Sequence, residues 1–394
     1  MGAVTLTATV SGRGAARWTA GHPWIFASDV VEVPTDAEPG AVRVETERGR
    51  PIGWALYSPR SEIALRLIDR DPDARIDADW WRRRLAAAAT RRASLADVAT
   101  AYRLVHGEAD GCPSLIVDKY DRWLVVQLAS AGIERYREEI VHALQAMTGA
   151  EGILARNDLA VRQKEGLSRT VELLIGDVPR MIDVQEYGVH YYAAPWDGQK
   201  TGAFLDQREN RARIGALARA GGRALDCFSY HGSFALHLAR RSGEVLALDT
   251  SAAALARAKE NAERNGMTNI SFVEADAFEY LKAAERARER FDTVVLDPPA
   301  FAKTKRALGA AARGYKEINL RGMRLLKPGG LLYTASCSFH LSKAQFLDVL
   351  ESAAADSGRR LALREFLGQP IDHPEVLTIP ETGYLKGAIA EALD

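Results

Sequence analysis

The sequence predicts an α/β protein whose C-terminal half is a Rossmann-like, doubly wound sheet, preceded by a small β-rich domain and an α+β linking domain. Three observations predict this. From Arg223 onward, short buried apolar runs alternate with helical periodicity in strict strand–helix order. Four of those runs end on an acid: Asp226, Asp249, Asp276 and Asp297. The first part of the chain lacks that alternation and reads as short strands broken by turn glycines. The division expected is 1–75, 76–192 and 193–394.

In chain order, Val42–Thr46 and Ile63–Ile68 alternate apolar and polar residues, and Gly12, Gly14, Gly21, Gly40, Gly49 and Gly53 punctuate the strands. Gly21–Phe26 (GHPWIF) sets two aromatics beside a proline turn, either as barrel core or as a stacking surface for nucleic acid. Asp79 is expected to cap a helix starting at Trp80. Its arginines, Arg82, Arg83, Arg84, Arg91 and Arg92, form either a solvated face or an RNA contact. Strands follow at Tyr102–Gly107, Leu115–Asp118 and Trp123–Ala129, then a helix over Ile133–Met147 and a strand pair over Met181–Tyr192. The last domain reads as strands Arg223–Tyr230, Glu244–Asp249, Ile270–Ala275, Phe291–Leu296 and Gly330–Ala335. Helices Ser233–Arg241, Ser251–Asn265 and Ala277–Glu289 separate the first four, with right-handed crossovers.

Composition excludes several classes. No apolar run is long enough to span a bilayer, and the N-terminus lacks a basic start followed by an apolar stretch, so a cytoplasmic protein is expected. The three cysteines, Cys112, Cys227 and Cys337, show neither metal-ligand nor disulfide spacing, so no metal is expected. Formal net charge is zero, so nucleic-acid binding must rest on local patches. One such patch runs from Ala300 to Pro328, with Lys303, Lys305, Arg306, Arg313, Lys316, Arg321, Arg324 and Lys327 against Glu317 alone.

In an open α/β sheet, ligands bind outside the carboxyl ends of the strands. The turn Asp226–Ser233 (DCFSYHGS) keeps only Gly232 of a GxGxxG pattern, which makes a dinucleotide improbable. It still offers backbone N–H groups at a helix start, and Asp249, 23 residues after Asp226, is placed to accept from ribose hydroxyls. Asp276 is placed to accept from an adenine amine; the competing reading is that these acids cap the following helices. Taken together they fit S-adenosylmethionine better than NAD.

GHPWIFASDV and RPIGWALYSPRSEIALRLI resemble the PUA domain of bacterial 23S rRNA methyltransferases, GEADGCPSLIVDKY their linking domain, and LDCFSYHGSFALHLA their first class I methyltransferase motif. GQKTGAFLDQRENR and DHPEVLTIPETGYLKG are also similar to that family, so the resemblance spans nearly the whole chain. It implies S-adenosylmethionine as cofactor, with Lys200, Thr201, Asp206, Gln207 and Arg208 against its methionine part and Asp226, Phe228, Tyr230, Gly232, Ser233, Asp249, Asp276 and Asp297 around the rest. It further implies 23S rRNA or a large-subunit particle as partner, and a homodimer. Ser233 stands where a second glycine is expected.

Asp297-Pro298-Pro299-Ala300-Phe301 alone is ambiguous between amino methylation, guanine methylation and cytosine chemistry. Cys337, in Ser336-Cys337-Ser338 at the end of the fifth strand, favours cytosine C5, which becomes nucleophilic only after a thiolate adds to C6. Enzymes similar in this motif place their nucleophile there. Asp297 would then bond cytosine N3 and its amine, and Phe301 would pack on the base, with Lys303, Lys305 and Arg306 near the RNA backbone. The second cysteine of many RNA cytosine methyltransferases is missing from Asp297-Pro298-Pro299, so another base must take the C5 proton; His340 and Lys303 lie nearest in sequence.

Overall fold

The computed structural model describes residues 6–34, 37–302 and 304–394. Lys303 lies outside the described residues, as does the side chain of Lys305. The chain forms two compact units. The first holds Met1–Val184, Ala193–Leu205 and Ile371–Thr382; the second holds Gln185–Tyr192, Asp206–Pro370 and Gly383–Asp394.

The first unit contains two sheets. A six-stranded sheet runs in the order Trp24–Ile25, Leu65–Asp69, Pro51–Tyr57, Gly40–Thr46, Thr7–Val10, Val30–Glu32. Val10, Ile25, Val42, Val44 and Leu65 bury its inner face. A five-stranded sheet runs Thr170–Gly176, Gly152–Asn157, Trp123–Leu128, Leu115–Tyr120, Ala101–His106. Residues 193–205 and 371–382 join this unit through buried polar bonds. Thr201 Oγ1 donates to Asp118 at 2.6 Å, Arg156 donates to the Pro195 carbonyl at 2.7 Å, and Arg103 N–H donates to Asp372 at 2.8 Å.

Four local expectations are corrected here. Gly12–Thr19 is a helix, not a turn, because Ser11 caps it by accepting from Gly14 N–H and Trp18 anchors it in the core. The cap of helix Ala78–Arg91 is Asp77, whose extended backbone frees its carboxylate to accept from Trp80 N–H at 2.9 Å; Asp79 sits inside the first turn. The helix expected over Ile133–Met147 is two helices, Ala131–Glu134 and Arg137–Thr148. They break at Tyr136, whose ring lies 5.2 Å from Trp81 and whose hydroxyl accepts from Ala41 N–H. Finally, the arginines of Ala78–Arg91 and Arg92 are mostly held by acids: Arg82 pairs with Asp79, Arg84 with Asp69, and Arg91 and Arg92 with Asp110. Arg83 is an exposed side chain with no acid partner among the described residues.

The second unit carries a seven-stranded sheet. Its strands are β1 (Arg223–Cys227), β2 (Glu244–Asp249), β3 (Ile270–Glu274), β4 (Phe291–Leu296), β5 (Leu326–Ser336), β6 (Leu361–Leu367) and β7 (Lys386–Ala392). The spatial order is β3-β2-β1-β4-β5-β7-β6, with β7 antiparallel between its neighbours. Helices α1 (Arg208–Leu217), α2 (Ser233–Ala239), α3 (Ala252–Arg264), α4 (Ala277–Arg286), α5 (Leu308–Arg324) and α6 (Lys343–Ser357) connect them. All six residues of β4 are buried, because both faces of the sheet are covered. Val294, Tyr315, Leu332 and Phe346 lie in the core of one face, and Val295, Tyr333, Phe234 and Ile389 in that of the other. Each such apolar side chain contributes about 1.5–3 kcal/mol of burial free energy, which makes these strands a rigid base for whatever stands at their ends.

Strand β1 stops at Cys227, three residues earlier than expected. Phe228 and Tyr230 take positive φ values of 64° and 49°, which no strand continues. Strand β5 starts earlier, at Leu326, and carries Pro328-Gly329-Gly330 through a register shift against β4. Among the described residues no helix is long and apolar enough to cross a membrane.

Candidate active site

The carboxyl ends of β2, β1, β4 and β5 stand side by side and bring together Asp249, Asp226, Asp297 and Cys337. Neighbouring strands lie about 4.8 Å apart, so Asp297, one residue past Leu296, and Cys337, three residues past its partner Thr334, face one crevice.

Asp226 is 1% exposed. Its Oδ2 accepts from the Ser229 hydroxyl at 2.8 Å and from Ala235 N–H in the first turn of α2 at 3.0 Å; its buried Oδ1 has no partner among the described residues. Burial raises its pKa to about 7, and the negative charges of Asp297 and Asp249 add to the rise. Asp249 accepts from Tyr230 N–H and Ser251 N–H, both at 2.9 Å, and so holds the β1–α2 turn against β2. Gly232 takes φ 78°, and a Cβ there would stand 2.9 Å from Ala258 of α3, so only glycine lets the turn pass. The left-handed Phe228 and Tyr230 mark this turn as a strained segment of the kind found at ligand sites. Ser233 is the first residue of α2 and is half-buried. Asp276 caps α4 through Phe278 N–H and Glu279 N–H, as the capping alternative expected.

These residues fit S-adenosylmethionine on the structure's own terms. Three carboxyls stand at these strand ends, one with an unpartnered buried oxygen, a donor set whose chemistry suits a cationic ligand that carries hydroxyls. The segment Asp206–Arg208 is placed beneath the strand ends rather than in the open. Gln207 is 3% exposed; its amide donates to Asp297 Oδ1 at 2.8 Å, while its carbonyl accepts from the Tyr333 hydroxyl at 2.8 Å and Asn210 Nδ2 at 2.7 Å. Asp206 accepts from the Tyr384 hydroxyl, and Arg208 is fully buried. Lys200 and Thr201 belong to the first unit: Lys200 lies over the Phe204 ring, and Thr201 is buried on Asp118 and Tyr120.

The three cysteines differ sharply. Cys112 and Cys227 are fully buried; burial pushes the Cys112 thiol up to about 12 and Cys227 well above its usual value. Cys337 is only half-buried. The serines beside it are hydrogen-bonded. Ser336 Oγ accepts from Ser338 N–H, and Ser338 Oγ accepts from Ala302 N–H and meets the Tyr315 hydroxyl at 3.0 Å. Phe301 is half-buried, its ring 4.6 Å from Tyr315 and 6.0 Å from Phe278. The ring that reaches solvent beside Cys337 is Phe339, 50% exposed and edge-on to His340 at 5.3 Å.

Half of the basic patch is paired with acids. Lys316 pairs with Asp356, Arg321 with Glu285 and Glu317, Arg324 with Glu285, and Lys327 with Asp292. Arg306 and Arg313 remain as exposed cations of that stretch. A cavity of about 540 Å³ between α1 and α2, lined by Tyr187, Gly215, His237 and Arg240, includes none of the strand-end residues.

Sequence reasoning missed Tyr333, Tyr315 and Lys386, whose contacts are with residues distant in sequence, and Asn210, one turn from Gln207. It also passed over Phe339, though that residue lies two positions from Cys337.

Residues 8–70 match a PUA-like domain family and residues 218–365 a methyltransferase domain family. The chain is 39% identical over 373 residues to the ribosomal RNA large subunit methyltransferase I of Erwinia tasmaniensis, covering 93% of this chain and 94% of that one. The enzyme of the same name from Aeromonas salmonicida is 38% identical over 380 residues, covering 94% and 95%. A SAM-dependent methyltransferase from Streptococcus mutans superposes with TM-score 0.82 at 20% identity, over 98% of this chain and all of that one. The methyltransferase SMU.776, crystallised with SAH, gives 0.84 at 21% over the same spans, a likeness of fold. With its crevice, its acids and its turn at the strand ends, the chain belongs to the ribosomal RNA large subunit methyltransferase I family, S-adenosylmethionine-dependent methyltransferases with a PUA-like N-terminal domain.

Proposed function

We propose that this protein methylates C5 of a cytosine in 23S rRNA, with Cys337 as nucleophile and Asp297 orienting the base. The observation that carries this reading is the contrast among the cysteines: two are sealed in the core, and the third is partly exposed at the end of the strand beside the one that ends at Asp297.

In this reading the Cys337 thiolate adds to C6 and forms a C–S bond. The C5–C6 pair is displaced onto C5 and, through C4, toward N3; in this reading Asp297 takes up a proton as the base binds, shares it with N3 and recovers it when the thiolate leaves. Gln207 fixes the rotation of that carboxyl, so the acid is already aimed when the base arrives. Bound S-adenosylmethionine supplies an electrophilic methyl, which C5 accepts. A base then takes the C5 proton, the double bond re-forms, and the thiolate leaves with the C–S pair. His340, half-buried three residues after Cys337, is the described residue placed nearest in sequence for that last step. A base inside an rRNA helix must be flipped out to reach the crevice, and Phe339 offers it or its neighbour a stacking face.

The test is nucleoside mass spectrometry of unmodified 23S rRNA, and of large-subunit particles, after incubation with isotopically labelled S-adenosylmethionine. Label in 5-methylcytidine is expected. Label in a guanosine or adenosine would make Cys337 a packing residue, and no label in either substrate would leave a ribosome-assembly role.

A further inference from the structure

We propose that the cavity between α1 and α2 is a second binding site, for a nucleotide, in which His237 accepts a hydrogen bond from the base and Arg240 and Arg241 hold the phosphate. The cavity shares no residue with the strand-end crevice, and the inference does not depend on the cytosine reading.

The site is built around one buried imidazole. His237, in the middle of α2, is 2% exposed, yet it lines the cavity. Its Nε2 lies 3.0 Å from Glu186 Oε1. Glu186 is fully buried, and Arg211 donates to both of its oxygens at 2.6 Å. Against the effect of burial, Arg211 and His237 hold the Glu186 pKa down at about 2, so the group is a carboxylate and only accepts. Nε2 must therefore carry the proton and donate it. Burial keeps the imidazole pKa below its usual value in spite of Glu186, so the ring is neutral and its Nδ1 is a lone-pair acceptor. Nδ1 has no hydrogen bond among the described residues, and it is not one of the polar atoms sealed from solvent. A ring buried, fixed in one tautomer and left with an open acceptor at a cavity is half of a hydrogen bond that a ligand completes.

The rest of the lining sets the ligand class. A volume of about 540 Å³ is in the range of small-molecule sites. One wall is flat, because Ala212, Gly215 and Ala216 give that face of α1 no side chain larger than a methyl group. Gly215 also lets α1 close on the imidazole: a Cβ there would stand 2.8 Å from the His237 carbonyl. A flat wall beside an aromatic residue, Tyr187, suits a planar heterocycle. The charge comes from Arg240 and Arg241, just past the end of α2. Arg240 donates to the Tyr187 carbonyl at 2.7 Å and Arg241 to the Ala218 carbonyl at 2.9 Å. Both are exposed, and neither pairs with an acid among the described residues. Each guanidinium has five N–H groups, so donors remain for a phosphate. Glu186 is already neutralised by Arg211, which leaves the lining positive. A nucleotide answers all three features; a bare phosphate leaves the flat wall uncovered, and a nucleoside leaves the arginines unpaired.

The experiment is calorimetric titration of the full chain with guanosine 5′-monophosphate, the cofactor site being saturated with S-adenosylhomocysteine. Saturable binding is expected. Arg240→Ala, or guanosine in place of its monophosphate, should weaken it about 5-fold or more. Ala216→Trp, which puts an indole into the cavity from an exposed helix position, should abolish it. S-adenosylhomocysteine affinity, expected unchanged, reports that each variant is folded. Filter binding to 23S rRNA then separates two sources of the nucleotide. A residue of the RNA strand is the ligand if Ala216→Trp raises the rRNA Kd and guanosine monophosphate competes with rRNA; a free nucleotide is the ligand if neither occurs. Absence of saturable binding to the wild type overturns the proposal, and so does undiminished binding in an Ala216→Trp variant that takes up S-adenosylhomocysteine normally. Neither readout involves methyl transfer, so failure of the cytosine reading would leave this result standing.

Discussion

Replacing Asp226 by Asn should stabilise the cofactor-free protein at high pH while weakening cofactor binding. The carboxyl is 1% exposed, and its pKa is raised from 3.8 to about 7. Below the unfolded value both states hold the proton and nothing is lost. Between the two values the folded state keeps a proton that the unfolded state has released, so stability falls as pH rises. Above the folded value both are ionised and the full penalty applies, about 4 kcal/mol for a shift of this size. Roughly 3 kcal/mol of that accrues between about pH 5 and about pH 8. Asn keeps an acceptor for Ser229 and Ala235, so its cost in hydrogen bonds is small. Thermal melts of wild type and Asp226→Asn across this range should therefore diverge, the variant gaining several degrees at the alkaline end. Cofactor titrations should show the reverse order, with wild-type affinity tightening as pH rises, because an ionised Asp226 attracts the cation. Parallel melting curves would refute the reasoning, since they would mean that Asp226 is ionised throughout.

Two further outcomes follow from the geometry. Tyr333→Phe removes one of the two donors to the Gln207 carbonyl and loosens the carboxyl of Asp297; kcat should fall about 3- to 10-fold, the worth of one neutral hydrogen bond, with cofactor affinity unchanged in calorimetry. Phe339→Ala should raise the apparent Kd for rRNA by about 5-fold or more, as expected for loss of one stacking face, while Phe339→Trp holds it near wild type in filter-binding assays.

The central strands of the C-terminal sheet were legible because they are buried on both faces and read as continuous apolar runs; Glu244–Asp249 and Phe291–Leu296 were found to the residue. The acids were legible because each ends such a run. What stayed hidden depends on separation along the chain. Gln207 reaches Asp297 across 90 positions, and Lys386 reaches Ser338 across 48, so no local pattern announces either. The same is true of charge. Lysines and arginines from Lys316 to Lys327 read as an RNA patch, yet distant acids such as Asp356 and Asp292 take them up. Helix Gly12–Thr19 was masked by its two glycines, which read as turns although Ser11 and Trp18 hold it. Gln207 was read as a cofactor contact from its motif; the structure spends its side chain on Asp297, Tyr333 and Asn210.

The most direct measurement of the central claim uses an rRNA transcript carrying 5-fluorocytidine. Fluorine at C5 cannot leave as a proton does, so the enzyme should stall as a covalent complex after methyl transfer. The account predicts a denaturant-stable protein–RNA adduct that forms only with S-adenosylmethionine present, maps to the peptide containing Cys337, and is lost in Cys337→Ala. An unmodified Cys337 peptide in an enzyme that still turns over normal rRNA would contradict it.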